Sequence, residues 1–444
     1  MTKSSAITVL VILGVLLTTK WMHSQTLEAG VARVDITPPL GIVLQGYPDS
    51  GRVATGVRDP LYASVLVLRV GSQSMALVGL DLIAPLEEEY FRQLRERSGH
   101  DASRLLLAAT HTHSGPPLIP ALSPPPHEWE SSTVPKIAQA IHQAASQTVP
   151  ARIGVGYGVA YIGHNRLRRN REGGVTWFEK NWTGASTSPM DPTVVVLRLD
   201  DMSGNPIAIL VNYACHPVIY GPDSLLYSAD FPGVMTRVVE HELGGKLLCF
   251  FLQGGDGDIN PLYAVTPLTE GAVELSEKAG AELGTVAAAV AQQVHTSTEP
   301  AASLQVAEDS LPFTTRWDAR KWLAADPHAV ETIEAKAKPE YQLPLTTVLI
   351  NKRIAIVTMP GEPFVDFQRQ WRERCPVRDC FFLGYANGYY GYFPTIEAAT
   401  LGGYGAAHPS TWIEVGAGEQ MLSHAVVRVY EMLGKLKPVP EDLR

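Results

Sequence analysis

The chain has 444 residues, a mass of 48.2 kDa and a formal net charge of −9. Charged side chains make up 18% and hydrophobic ones 45%, which supplies a large core and excludes a disordered chain. A pI near 5.8 with no basic block argues against nucleic acid as a partner, and four cysteines exclude a scaffold built on disulfides.

Lys3 precedes an apolar run, Ala6–Leu17, that ends in Thr18, Thr19 and Lys20. Twelve residues fall short of the roughly 20 that span a bilayer, so the run reads as a secretory signal. Met22-His23-Ser24 is a poor cleavage triplet, which leaves an uncleaved anchor open. Residues 1–25 are therefore expected to be a signal peptide or N-terminal anchor of a secreted or periplasmic protein, with 26–444 as one domain. Export would place Cys215, Cys249, Cys375 and Cys380 in an oxidising compartment. Cys375 and Cys380 bracket a short loop that a disulfide could close, whereas Cys215 and Cys249 lie in apolar runs and read as buried thiols.

Ser64–Val70 and Met75–Leu80 read as strands, Leu86–Arg97 as a helix, Leu105–Ala109 as a strand and Val134–Gln147 as a helix. Strands follow at Val194–Leu199 and Ile207–Tyr213, then a helix at Gly233–Leu243, a strand at Leu247–Leu252 and a helix at Gly271–Val294. Thr347–Ile350 and Ile354–Thr358 are the last predicted strands, and Pro363–Arg374 and Glu419–Lys435 the last helices. This alternation predicts an α/β fold, a single large domain with a mixed sheet flanked by helices. Residues 115–130, 159–190 and 386–415 are rich in Pro, Gly, Asn and aromatics and read as long ordered loops, the usual place for a site.

Ligand-type side chains gather just after predicted strands. Leu105–Ala109 runs into Thr110-His111-Thr112-His113-Ser114-Gly115-Pro116, and Ile207–Tyr213 into Ala214-Cys215-His216-Pro217. Phe250–Leu252 runs into Gln253-Gly254-Gly255-Asp256-Gly257-Asp258-Ile259-Asn260-Pro261, and Ile354–Thr358 into Met359-Pro360-Gly361-Glu362-Pro363. Ligand sites of open α/β sheets lie at the carboxyl ends of strands. Each piece alone has a plain structural reading: a hydrogen-bonded histidine pair, a structural His-Pro, a helix-start carboxylate, an Asp-Gly turn. An extended His-x-His would set both imidazoles on one side, one for a metal and one for substrate. Asp81 and Asp230 are candidate partners for the histidines, with surface turn carboxylates as the alternative.

Together these segments resemble the neutral (alkaline, non-lysosomal) ceramidases, in their amino-terminal catalytic domain. The resemblance rests on Ala29–Pro39, Asp59-Pro60-Leu61-Tyr62-Ala63, Thr110–Pro116, Cys215-His216-Pro217, Gly257–Pro261, Met359–Phe364 and Ala386–Tyr392, in matching order. It implies a zinc ion, one per chain, held by His111, His216, Glu362 and Tyr392. It implies further that His113 faces substrate and that Tyr404 and Arg166 belong to the active site. The implied reaction is zinc-hydroxide attack on the N-acyl bond of a ceramide-like lipid, at a membrane surface or from solution, giving a fatty acid and a sphingoid base. Zinc, Tyr404 and Arg166 would stabilise the oxyanion, with His113 carrying the proton.

The sequence departs from the family pattern in two places. Asn260 stands where the better-known members carry a serine, so no acyl-enzyme forms there, although Asn260 could still donate a hydrogen bond to substrate. The longer members continue into an immunoglobulin-like domain, and this sequence ends at Arg444. Two other readings stay open: a zinc hydrolase of a smaller amide or ester, and a cell-envelope binding protein with a structural metal.

Overall fold

The computed structural model describes residues 25–47, 51–102, 104–119, 125–317, 339–407, 410–437 and 439–440, so the expected signal segment lies outside the described residues. Eight strands among them form one sheet: β1 (Leu27–Asp35), β2 (Tyr62–Val70), β3 (Gln73–Leu80), β4 (Arg104–Ala109), β5 (Val149–Val159), β6 (Thr193–Asp201), β7 (Pro206–Tyr213) and β8 (Leu248–Gln253). Their order is β8-β7-β6-β5-β1-β2-β3-β4. The outer pairs β7–β8 and β3–β4 are parallel and the inner pairs antiparallel, giving the mixed sheet that the sequence predicts.

A second sheet, which the sequence did not separate from the first, contains β9 (Leu304–Thr314), β10 (Glu340–Ile350), β11 (Ile354–Thr358) and β12 (Asp379–Leu383). It too ends in a parallel pair, β11–β12. The two sheets stack through Leu66, Leu68, Leu77, Leu106, Leu197 and Leu210 on one side and Val348, Ile350, Ile354, Ile356 and Phe381 on the other. Side chains alternate faces along a strand, so Val65 and Val67 point the opposite way, into a core shared with helices α1 (Glu88–Ser98) and α2 (His127–Ser146). Helices α3 (Asp230–Glu242) and α4 (Ala272–Gln293) cover the rest of that face, packing Phe231, Met235 and Leu283 on Val196, Ile209 and Val211. Across the molecule, α5 (Val365–Arg374) and α6 (Ala417–Met432) cover the second sheet with Phe367, Trp371, Met421 and Leu422. The layers run helix, sheet, sheet, helix. Strands buried on both faces explain the near-continuous apolar runs in the sequence.

This stacking positions the site. The parallel pairs of both sheets end toward one place, and segment 385–387 joins them. The Ala109 amide donates to the Tyr385 carbonyl at 3.1 Å, and the Leu107 amide to Asn387 Oδ1 at 2.8 Å. Asn387 Nδ2 then reaches Thr346 Oγ1 of β10 at 2.9 Å. All four cysteines are free thiols, Cys375 and Cys380 included. No helix among the described residues is long and apolar enough to cross a membrane.

Candidate active site and metal centre

His111 follows β4 and is buried, with a left-handed backbone (φ 70°) rather than the extended one the His-x-His spacing suggested. Its amide donates to the Leu82 carbonyl at 2.8 Å and its Nδ1 lies 2.6 Å from the Ile83 carbonyl. A carbonyl only accepts, so Nδ1 carries the proton and Nε2 presents a bare lone pair. His216 follows β7 and repeats this pattern, with Nδ1 2.7 Å from the Asp256 carbonyl and 3.1 Å from that of Ile259. Both bare Nε2 atoms face Oε2 of buried Glu362, at 3.6 Å for His111 and 3.2 Å for His216. His113 completes the cluster, its Nε2 3.2 Å from that of His111.

Burial pushes His111 down to about 3, and with two imidazole neighbours pushes His113 well below the usual histidine range. Burial would raise Glu362, yet its polar neighbours, the donating Tyr389 hydroxyl among them, hold its carboxyl well below the usual carboxylate range. Two bare nitrogens and a carboxylate oxygen converge, because the imidazole protons are held on the far side by main-chain carbonyls. Acceptors so placed repel one another unless a cation sits among them. The ligand atoms of His111, His113 and His216 lie within 4.8 Å of one another, so the donor set fits a bound metal ion.

Glu362 is set by close backbone approach. Residues Glu362–Pro363 pair in parallel with Tyr392–Phe393, and the Gly257 amide donates to the Pro363 carbonyl at 2.9 Å. A Cβ at Gly257 would lie 2.4 Å from the Glu362 carbonyl, so only glycine fits there. The hydroxyl of Tyr389 donates to Glu362 Oε1. Tyr385 stacks on His111 with ring centroids 4.0 Å apart, and its hydroxyl donates to Asp256 Oδ1 at 2.6 Å. The other oxygen of Asp256 is 3.3 Å from His216 Nδ1. Gln253 and Asp256 lie in the segment noted after the Phe250–Leu252 run and Tyr389 in the 386–392 stretch, but none of them, nor Tyr385, was given a role from sequence.

Arg166, from the 159–190 loop, is buried and spends its N–H groups inside the protein. Nη1 donates to Asn260 Oδ1 (3.0 Å), and Nη2 to the Gly257 carbonyl (2.7 Å) and the Tyr392 hydroxyl (3.1 Å). Its guanidinium lies over Trp177, Tyr404 and Tyr392, with 5.0, 5.4 and 5.8 Å to the centroids. Tyr404 is 57% exposed and meets the Tyr392 ring edge-on at 5.4 Å. Asn260 donates one amide N–H to the Glu179 carbonyl at 3.2 Å while its Oδ1 braces Arg166, so it has a structural task beside the donor role expected of it. All eight predicted residues thus fall in one connected region, His111, His113, His216 and Glu362 at its centre and Arg166, Asn260, Tyr392 and Tyr404 along one flank.

The expected carboxylate partners do not reach the histidines. Asp230 accepts from the Ile219 and Phe231 amides and from Ser276 at the start of α3. Asp81 accepts the Tyr62 amide at 3.0 Å and lines a separate cavity of about 190 Å³ with Arg33, Asp59 and Arg237. Main-chain carbonyls take the place the carboxylates were given.

The family model for neutral/alkaline non-lysosomal ceramidases, N-terminal part, matches residues 27–265. Neutral ceramidase A of Dictyostelium discoideum is 26% identical over 274 residues, which is 54% of this chain and 37% of that protein. Neutral ceramidase B of the same organism is 25% identical over 264 residues, 53% of this chain and 35% of that protein. The match therefore spans little more than a third of the length of these curated relatives. A crystal structure of neutral ceramidase from Pseudomonas aeruginosa superimposes with a TM-score of 0.75 at 19% identity, covering 94% of this chain and 76% of that one. A ceramidase complexed with C2 gives 0.74 at 18% identity, covering 94% and 77%. These likenesses establish the fold. His111, His113, Arg166, His216 and Asn260 lie inside the family match, whereas Glu362, Tyr392 and Tyr404 lie beyond it and join the site through the geometry. The chain belongs to the neutral/alkaline non-lysosomal ceramidase family.

Proposed function

We propose that this chain is an exported, zinc-dependent amidohydrolase that cleaves the N-acyl bond of ceramide-like lipids, with residues 26–444 as its hydrolase domain. The observation that carries the reading is the convergence of two bare imidazole nitrogens on one carboxylate oxygen, at 3.6 and 3.2 Å. His111, His216 and Glu362 would hold the ion, with Tyr392 as the fourth ligand that the family resemblance supplies. Zinc bound there supplies Lewis acidity and lowers the pKa of water to about 7.

The protein's own groups account for the rest. His113 is neutral and wedged edge-on against Tyr47 at 5.3 Å, while Arg52 holds its carbonyl at 3.2 Å. A neutral imidazole held beside the ligand cluster takes a proton from the attacking water and returns it to the departing amine. Tyr392, shifted above the usual phenol range by burial, stays protonated, and Tyr404 offers its O–H to the developing oxyanion at the exposed edge. Arg166 acts on this flank by fixing the Tyr392 hydroxyl, and Asn260 by fixing Arg166.

The test uses protein stripped of metal and then given zinc, with product release from a panel of N-acyl substrates followed by mass spectrometry. Fatty acid released from ceramide only when zinc is restored supports the proposal. Zinc-restored cleavage confined to small amides or esters keeps the chemistry and discards the lipid. Tight zinc with no turnover on any substrate overturns the enzyme reading in favour of a binding protein.

A further inference from the structure

The two oxygens of Glu362 have different neighbours. Oε2 faces the bare Nε2 atoms of His111 and His216 at 3.6 and 3.2 Å, whereas Oε1 receives the Tyr389 hydroxyl. A phenol hydroxyl placed against a carboxylate oxygen is the donor of the pair. Tyr385 cannot duplicate this role, because its one proton goes to Asp256 Oδ1 at 2.6 Å and its oxygen is 3.2 Å from Oε2.

A carboxylate can bind an ion through one oxygen or swing to bind through both, and nothing in its own chemistry prevents the swing. Swinging Oε1 toward the histidines would break a charge-assisted hydrogen bond to a buried carboxylate. We propose that Tyr389 is a positioning residue that confines Glu362 to one-oxygen ligation, which keeps a coordination position free for substrate. This inference rests on the metal reading of the site and concerns how the carboxylate is presented there.

The experiment is cobalt(II) substitution of the wild-type chain and of Tyr389→Phe, with visible absorption and metal affinity read in parallel. Cobalt bands weaken as the coordination number rises, and outer partners of ligands are typically worth ~10–100-fold in metal affinity. Tyr389→Phe is expected to weaken the bands and to change affinity by that order. The ring contact with Trp412, centroids 5.8 Å apart, survives the substitution, and a melting curve checks the fold. 4-Aminophenylalanine at position 389 keeps a donor at the same place and is expected to restore the wild-type spectrum, which a role in packing alone would not predict. Identical spectra and affinities for wild type and Tyr389→Phe, or no rescue by the amino analogue, overturn the proposal. A wild-type chain that binds neither zinc nor cobalt overturns the metal reading itself, and this inference with it.

Discussion

The side-chain amide of Gln253 donates to the main-chain carbonyl of Thr110 at 3.0 Å, one residue before His111. The same nitrogen donates to the Cys215 carbonyl at 2.9 Å, one residue before His216, and its oxygen accepts the Cys215 amide at 3.1 Å. One buried glutamine thus ties together the ends of β4 and β7 that deliver the two histidines. Replacing it with leucine strands several buried polar groups at once, at ~1–3 kcal/mol for each left unpaired. Gln253→Leu is expected to lower unfolding stability by at least about 3 kcal/mol and to weaken zinc binding. Unchanged zinc affinity in folded protein would show that the strand ends hold their positions without this tie.

His111→Ala and His216→Ala should each lose zinc and turnover together, measured as metal content beside product release. His113→Ala should retain zinc and lose ~10²–10⁴-fold in turnover, the usual worth of general acid–base help. Loss of zinc from that variant would move His113 into the ligand set, which its 3.2 Å approach to His111 makes a sharp alternative.

Asn260→Ala removes the acceptor for Arg166 Nη1 and leaves the histidine cluster untouched. Turnover over KM is expected to fall roughly 10-fold, or ~1.4 kcal/mol, with metal content unchanged. Complete loss of activity with full zinc would mean that Asn260 itself meets the substrate.

Burial raises the Asp81 carboxyl to about 6; the Tyr62 amide and Arg33 oppose this and nearby Asp59 and Glu240 add to it. A raised native pKa means that the folded protein keeps a proton the unfolded chain releases near 4. The stabilisation is complete below about pH 4 and disappears as the pH rises through about 6. Asp81→Asn removes that dependence, so wild type should lose about 2–3 kcal/mol relative to the variant between pH 4 and 7 in urea titrations. A difference that stays constant across that range would refute the shift at Asp81.

Much of the site was legible because its residues follow apolar strands directly. His111, His216 and Glu362 each sit a few residues past a run that could only be a buried strand. Less could be read where the local pattern is ambiguous. Strand β5 carries Gly154, Gly156 and Gly158 and was not read as a strand, yet their bare faces let α4 pack close: a Cβ at Gly156 would lie 2.8 Å from Val290. Helix α2 starts at His127 and runs through Pro135, where a proline normally marks a first turn, so the predicted start at Val134 came late. Strand β9 has a polar outer face and was missed for that reason. Gln253 and Tyr389 matter through partners 143 and 27 residues away in sequence, and no local pattern reports such pairings.

The groups that choose the tautomers of His111 and His216 are the peptide oxygens of Ile83, Asp256 and Ile259. Every amino acid brings an identical oxygen, so drift at positions 83 and 259 can change side chains without changing which imidazole nitrogen is left bare. The path of the backbone, inherited with the fold, carries that information. A search for an acidic partner to each histidine would meet Asp256 Oδ2 beside His216 Nδ1 at 3.3 Å and only a peptide oxygen at His111.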